Sequence, residues 1–144
     1  MQDKALVTII CLCYNQQEFV LESLDSVINQ DYKNIELIIV DDCSTDNSKS
    51  IIENWLADYP GIPLIANTTN LGINQALQLA NGDYIIDLAA DDILVPNCVR
   101  LQINAFKNSH YKNLGVVYGN AALISEKGLF HSYYFDVGSD KKAI

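Results

Sequence analysis

The stretch IELIIVDD, residues 35–42, consists of five apolar residues around one glutamate and stops at two aspartates. Its apolar residues are nearly continuous rather than alternating, which is typical of a strand buried on both faces of a parallel sheet. The stretch LVTIICLC, residues 6–13, has the same character and ends at Tyr14 and Asn15. Both stretches therefore predict buried parallel strands whose carboxyl ends lead into polar loops.

Helical and extended patterns alternate along the rest of the chain. Asn15 and Glu18 form a helix-start pair, and Asn81-Gly82 is a typical helix end. Apolar residues at helical spacing predict a helix after each of four strands. Further strands are predicted at 63–66, 84–88 and 114–118, with additional short ones at 121–125 and 129–135 around a turn at 126–128. This alternation predicts an α/β fold in which helices flank a mostly parallel sheet, as a single domain over residues 1–144.

Polar residues follow four of the predicted strands at their carboxyl ends. In open α/β sheets these ends share one edge, and ligands bind beyond that edge. We therefore expect one binding site built from four separate stretches, which are Tyr14-Asn15, Asp41-Asp42, Asn70 and Asp91-Asp92.

The pair Asp91-Asp92 is the candidate metal site. Two adjacent carboxylates after a buried strand repel each other unless a positive charge lies beside them. A hard cation such as Mg²⁺ or Mn²⁺ is the natural partner, with phosphate oxygens and water completing its ligands. The alternative is a solvated turn that caps the next helix.

The pair Asp41-Asp42 and the triplet at residues 70–72 have two interpretations each. The carboxylates could accept hydrogen bonds from ribose hydroxyls or a base N–H, or they could cap a helix near Ser44. The triplet Asn70-Leu71-Gly72 could let the backbone approach a phosphate at a helix start, or it could be a turn.

Composition and charge exclude several classes of protein. The 144 residues are 49% hydrophobic with a formal net charge of −9, which disfavours both disorder and nucleic-acid binding. A single nucleotide remains possible because a bound divalent cation can supply positive charge. The sequence has no GxGxxG, GxxxxGK[ST] or GxSxG motif, which argues against a dinucleotide-binding, P-loop or hydrolase site.

The four cysteines and the amino-terminal stretch indicate a cytoplasmic location. No CxxC pair occurs among Cys11, Cys13, Cys43 and Cys98, so we expect reduced, packed thiols rather than a zinc site. The first apolar run is too short to span a bilayer, and no signal peptide is visible.

Six blocks of sequence, taken together and in order, resemble family 2 glycosyltransferases of the GT-A fold. The resemblance spans about residues 5–124. The blocks are residues 7–15, 26–32, 36–46, 70–72, 81–85 and 88–92.

The resemblance implies roles for the residues at the predicted edge. Asp91 would bind Mn²⁺ or Mg²⁺, which would bridge the donor diphosphate and stabilise the leaving group, and Asp92 would support the metal or face the sugar. The residues expected to bind the nucleotide are Tyr14, Asn15, Asp41, Asp42, Asn70 and Gly72.

The implied activity is sugar transfer from a nucleotide-diphosphate sugar, with a UDP-sugar as the first expectation, to an acceptor hydroxyl with inversion. The acceptor would be a saccharide, a lipid-linked molecule or a protein, in polysaccharide biosynthesis, and the parent protein could associate peripherally with a membrane. The alternative is a non-catalytic GT-A-like nucleotide-binding or interaction module. Ala89, where the family has a further Asp, and Asn74, Gln75 and Gln78, where many members have a basic residue, motivate this alternative.

The resemblance also implies that the general base lies beyond Ile144, so we expect a fragment that is truncated at its C-terminus. Asp136 and Asp140 match no family motif for the base. A missing second half would leave an apolar surface exposed, and residues 119–135 are the candidate, so self-association or poor order of this stretch is expected. A nucleotidyltransferase would require a glycine-rich basic loop after the first strand, and the sequence has none.

Overall fold

The computed structural model describes residues 5–135, so Asp136 and Asp140 lie outside the described residues. Helices and strands alternate through most of this range. The elements are β1 (Val7–Cys13), α1 (Val20–Ile28), β2 (Ile35–Asp41), α2 (Ser48–Leu56), β3 (Leu64–Ala66), α3 (Asn74–Leu79), β4 (Tyr84–Ala89), α4 (Cys98–Asn108), β5 (Ala122–Ile124) and β6 (Phe130–Tyr133).

The first four strands form one parallel sheet in the order β3-β2-β1-β4. Helices cover both faces. Cys11 of β1 contacts Ser23 of α1 on one face, with 3.8 Å between Sγ and Oγ, while Ile10 of β1 packs with Ala76 of α3 on the other. The predicted α/β fold with a parallel sheet between helices is therefore confirmed.

The core follows from the two continuous apolar runs. Strand β1 has only Leu12 partly exposed, and the last five residues of β2 are buried. Each fully buried Val, Leu or Ile stabilises the fold by roughly 1.5–3 kcal/mol. Strand β4 instead alternates between less and more exposed residues, because Ile86 and Leu88 lie on the face of Cys11 that α1 covers, while the residues between them lie on the other face and are exposed.

Gly82 is required by a close approach rather than by a helix end. Helix α3 ends at Leu79, and Ala80 has an extended backbone (φ −65°, ψ 127°). A Cβ at Gly82 would lie 2.5 Å from the backbone nitrogen of Thr8 and 2.6 Å from the carbonyl oxygen of Tyr84. The predicted helix end at Asn81-Gly82 is correct to within two residues, but the reason for the glycine is its contact with β1.

The expected helix start at Asn15 and Glu18 is wrong. Helix α1 begins at Val20, with Phe19 before it and no side-chain cap. Asn15 has a left-handed backbone (φ 54°), which points its side chain towards the loop after β2. Its polar group therefore serves a distant loop instead of the nearest helix.

The chain divides into two compact units, of which one ends at Val99 and the other begins at Arg100. The second unit contains the antiparallel pair β5-β6, whose turn includes Gly128 at φ 72°. These strands confirm the two short predicted ones with narrower bounds. The single-domain organisation of residues 1–144 stays a prediction.

The strand predicted at 114–118 is wrong. Residues 114–118 lie outside the described strands, and Val116 and Tyr118 are largely exposed. An apolar run becomes a strand only where another strand can satisfy its backbone groups, and no described strand pairs with this one. Within the described residues, no helix is both long and apolar enough to cross a bilayer.

Candidate functional site

The four polar stretches lie side by side at one edge of the parallel sheet, as predicted. Backbone hydrogen bonds continue the pairing just beyond the strands, so each exit is tied to its neighbour. They run from Asp42 N to Cys13 O (2.8 Å), from Ala90 N to Leu12 O (2.9 Å) and from Asn67 N to Asp41 O (2.8 Å).

The strand order reverses between β1 and β4, which makes their exits the expected ligand crevice in an open α/β sheet. Tyr14 and Asn15 follow β1, and Asp91 and Asp92 follow β4. The side-chain nitrogen Nε2 of Gln16 donates to Asp91 Oδ2 at 3.4 Å. The two loops that flank the crevice are therefore linked.

Asn15 joins the loop after β1 to the loop after β2. Its Oδ1 accepts from the backbone nitrogens of Thr45 at 2.7 Å and Asp46 at 3.4 Å. Its own backbone nitrogen donates to Ser44 Oγ at 3.0 Å. Since the side-chain oxygen is occupied by the protein, a ligand contact from Asn15 would come from its amide nitrogen or backbone.

Further hydrogen bonds complete this connection, which we call the loop clasp (residues 15–17 with 44–48). Ser48 Oγ accepts from Gln16 N at 2.9 Å, and Asp46 Oδ2 accepts from Gln17 N at 3.2 Å. Asp46 Oδ1 also accepts from Ser48 N at 2.9 Å, at the start of α2. Burial favours the neutral Asp46 carboxyl, but these hydrogen bonds outweigh it and hold the pKa of Asp46 below its usual value.

Asp42 is buried and anchors the loop after β3. Its Oδ1 accepts from Asn67 Nδ2 at 2.8 Å and from Leu71 N at 2.8 Å, and its Oδ2 accepts from Gly72 N at 3.1 Å. Burial raises the cost of the charge, but the hydrogen bonds from these three residues prevail and lower the pKa of the Asp42 carboxyl. The amide of Gly72 is therefore already bonded, and the nucleotide-binding roles of Asp42 and Gly72 stay predictions.

Asp41 is buried on the opposite face of the sheet, with its Oδ2 accepting from Ser44 N at 3.3 Å. Asp41 Oδ1 and Asn67 Oδ1 are buried acceptors without a hydrogen-bond partner among residues 5–135. Buried acceptors normally have a donor. Asn67, which the sequence analysis did not single out, is therefore part of this edge, and its position directly after β3 was the available signal.

Asp91 and Asp92 are both exposed at the exit of β4. Partial burial and the negative charge of Asp91 raise the pKa of Asp92, as expected for two repelling carboxylates. The described part of the chain brings together no group of three or more potential His, Cys, Asp or Glu ligands. Two carboxylates nevertheless fit Mg²⁺ or Mn²⁺ in the mode where phosphate oxygens and water supply the remaining ligands.

Tyr14 and Asn70 are the remaining predicted site residues. Tyr14 is 49% exposed directly after β1, so its ring face is accessible, and Asn70 is exposed in the loop that Asp42 anchors. Their roles stay predictions. The thiols of Cys11 and Cys13 are buried, whereas Cys43 and Cys98 are half-buried; all four are free, and burial raises the pKa of Cys11 to about 12.

Comparison with known proteins gives one family. Residues 8–131 match the sequence profile described as Glycosyl transferase family 2. The chain is 39% identical over 116 residues to the putative glycosyltransferase EpsE of Bacillus subtilis (strain 168), covering 76% of this chain and 41% of EpsE. It is 38% identical over 101 residues to the putative colanic acid biosynthesis glycosyl transferase WcaA of Escherichia coli (strain K12), covering 67% of this chain and 36% of WcaA.

Solved structures agree with the sequence matches. The mannosyltransferase PcManGT from Pyrobaculum calidifontis, in complex with GDP-Man and Mn²⁺, superposes with a TM-score of 0.66 at 30% identity, covering 78% of this chain and 34% of PcManGT. S. aureus TarS 1-349 in complex with UDP superposes with a TM-score of 0.63 at 23% identity, covering 83% of this chain and 41% of that one, which is a likeness of fold. The chain thus spans less than half the length of each of these four proteins. Since the family profile covers most of the sequence and the parallel sheet matches these enzymes, the chain belongs to glycosyl transferase family 2 and has the GT-A fold.

Proposed function

We propose that the whole protein transfers a sugar from a nucleoside diphosphate sugar to an acceptor hydroxyl, and that this chain supplies the donor-binding edge. The observation that carries the proposal is the pair Asp91-Asp92, exposed where the strand order of the sheet reverses. The bound GDP-Man and Mn²⁺ of PcManGT support both the class of donor and the metal.

In this proposal Asp91 is a ligand of Mn²⁺ or Mg²⁺, and Asp92 lies beside it as a second ligand or faces the sugar. The metal, when bound, neutralises charge on the departing nucleoside diphosphate. Helix α3 carries Asn74 and Gln75 in its first turn where a basic residue would assist, and the chain has a formal net charge of −9. Charge neutralisation at the diphosphate therefore depends mainly on the cation.

The nucleoside is expected to lie against the exits of β1 and β2. Tyr14 offers an exposed ring. Asp41 Oδ1 and Asn67 Oδ1 are acceptors without a partner among residues 5–135, but they are buried on opposite faces of the sheet, so at most one of them would meet an N–H or hydroxyl group of the nucleoside. Uridine is the first expectation, and guanosine is the alternative because PcManGT binds GDP-Man. The acceptor would be a saccharide, a lipid-linked molecule or a protein, and inversion at the anomeric carbon requires a general base that we assign to no described residue.

Titration calorimetry with UDP and GDP, each with and without Mn²⁺, tests the proposal. We expect binding of at least one nucleotide that depends on Mn²⁺. Asp91→Ala should weaken it at least tenfold, because Asp91 is one of the two exposed carboxylates at the exit of β4. Asp58→Ala, which removes an exposed carboxylate at the end of α2, should leave the affinity unchanged. A folded protein that binds neither nucleotide would refute the proposal.

The alternative is a non-catalytic nucleotide-binding or interaction module with the same fold. Ala89 favours this alternative, because it occupies the last position of β4, where a further aspartate would add a third carboxylate beside Asp91 and Asp92. Binding that is unaffected by Mn²⁺ and by Asp91→Ala would support this alternative.

A further inference from the structure

Helix α1 and the residues just after it present three buried polar side chains on one face. Ser23, Ser26 and Gln30 are 0%, 9% and 1% exposed, and their spacing of three and four residues places them in one row. A buried polar side chain needs hydrogen-bond partners. Most of their partners lie in one segment, residues 89–99, which contains Asp91 and Asp92.

The two serines hold the first part of this segment. Ser23 Oγ donates to Ala89 O at 3.4 Å. Ser26 Oγ accepts from Leu94 N at 3.1 Å and donates to Ser23 O at 2.6 Å. Backbone atoms on both sides of the acidic pair are therefore attached to α1.

Gln30 holds the last part of the segment with both ends of its amide group. Its Nε2 donates to Val95 O at 2.8 Å, and its Oε1 accepts from Val99 N at 3.1 Å. The same Nε2 also lies 3.1 Å from Ser26 O, at the end of α1. A single buried side chain thus connects α1, the loop and the first turn of α4.

The acidic pair itself has few other attachments. Asp92 N donates to Ala89 O at 3.0 Å, and Asp91 accepts from Gln16 at 3.4 Å. The backbone next to the pair is therefore held from two sides: by β1, through the hydrogen bond from Ala90 N to Leu12 O at 2.9 Å, and by Ser23, Ser26 and Gln30, whose hydrogen bonds described above involve neither carboxylate.

We infer that Ser26 and Gln30 are positioning residues for the metal-binding pair Asp91-Asp92. This inference rests on the proposed function, because it states that Ser26 and Gln30 raise the metal affinity of the site proposed there. Groups that orient metal ligands typically contribute a factor of roughly 10–100 in metal affinity. A merely structural role would lower stability and leave metal affinity unchanged.

The test compares Ser26→Ala and Gln30→Met with Thr8→Val. Gln30→Met keeps the length of the side chain but loses its hydrogen bonds. Thr8→Val is the matched control, because Thr8 is also buried and accepts from Gly82 N at 2.9 Å, but at the opposite end of the sheet. Affinity for Mn²⁺ is measured by electron paramagnetic resonance with saturating UDP, or with GDP if UDP does not bind, and stability is measured by urea unfolding.

We expect both α1 variants to weaken Mn²⁺ binding about tenfold or more. Thr8→Val should keep Mn²⁺ affinity within about twofold at a similar loss of stability, and Ser26→Thr, which keeps the hydroxyl, should restore most of the affinity. If Gln30→Met does not fold, the milder Ser26→Ala decides the result.

Wild-type affinity for Mn²⁺ in folded Ser26→Ala would overturn the inference while leaving the proposed function intact. An equal loss in Thr8→Val would also overturn it, because the effect would then follow general stability. Wild-type protein that binds no Mn²⁺ with either nucleotide would overturn the inference and the proposed function together.

Discussion

Asp41-Asp42 and Asp91-Asp92 are the same dipeptide at the ends of two strands that flank β1, and the structure puts them in opposite environments. The first pair is 2% and 3% exposed and accepts hydrogen bonds from the loops around it. The second pair is exposed, and the two carboxylates repel each other. The dipeptide therefore indicates a strand exit, while the neighbouring loops decide whether it anchors the fold or is available to a ligand.

The position of each strand in the sheet explains the difference. Strand β2 has β1 and β3 on its two sides, so the loop after β3 closes over Asp42. Strand β4 pairs only with β1 in the described sheet, and Asp91 is exposed among residues 5–135. Substitutions at the two pairs should consequently separate stability from ligand binding.

The largest effect should come from Asp42→Ala. We expect a loss of about 3 kcal/mol in the free energy of unfolding, because the backbone nitrogens of Leu71 and Gly72 and the amide of Asn67 would lose their acceptor. Urea unfolding measures it. The control is Asp91→Ala, which should change stability by no more than about 0.5 kcal/mol because it removes an exposed carboxylate. Equal losses in the two variants would abolish the contrast between the pairs.

Asn15→Ala should destabilise the protein by about 1–2 kcal/mol. It removes the acceptor for Thr45 and Asp46 in the loop clasp and leaves a left-handed backbone at a non-glycine residue. Asn15→Gly, which relieves the backbone strain but still lacks the acceptor, should lose less. Thermal unfolding measures both, and an Asn15→Ala variant as stable as wild type would show that the clasp does not secure the loop after the first acidic pair.

Cys43→Gly should stabilise the protein slightly, by up to about 1 kcal/mol. Cys43 directly follows the first pair with φ 67°, a conformation that glycine adopts without steric cost. The gain is reduced by the loss of the contact between its Sγ and Thr68 O at 3.4 Å. Cys43→Ala keeps the strain and should show no gain, and a glycine variant less stable than the alanine variant would contradict this account.

The smallest effect should be the opposite pH dependence of the two pairs. The pKa of Asp42 is lowered in the folded protein, so its contribution to stability is present above its unfolded pKa of about 4 and is lost as the pH falls through the folded value. The pKa of Asp92 is raised, so its destabilisation is present at neutral pH and disappears as the pH falls through that raised value.

Urea unfolding of Asp42→Asn and Asp92→Asn between pH 7 and pH 3 separates the two signs. Asp42→Asn should be less stable than wild type at pH 7, with the difference shrinking in acid. Asp92→Asn should be slightly more stable at pH 7, and this gain should also shrink in acid. A difference of the same sign at both positions would contradict the opposite environments.

The sequence was sufficient to predict the four strand exits because continuous β-branched runs and the polar residues after them are local signals. It could not predict that Asp42 is saturated, since its donors Asn67, Leu71 and Gly72 come from another loop. Whether the Asp-Asp pair is buried or exposed depends on tertiary contacts, which the order of the strands in the sheet determines.

The errors have similar causes. Asn15 and Glu18 have the spacing of a helix start, but the side chain of Asn15 bonds to the loop after β2 instead. Residues 114–118 have the apolar pattern of a strand but no described partner. The burial of Ser23, Ser26 and Gln30 has no signal in the sequence, because the apolar residues of α1 are sufficient to explain why that helix packs against the sheet.

The absence of a side chain at Gly82 helps to determine how β4 aligns with β1. Glycine lets the turn before β4 touch Thr8 at the start of β1, and six residues of strand then carry this alignment about 20 Å to the opposite edge. Any side chain at 82 would clash with the backbone of Thr8 and Tyr84, so this close approach of the two strands requires glycine. The alignment of β4 with β1 therefore depends on a residue at the end of the sheet opposite Asp91.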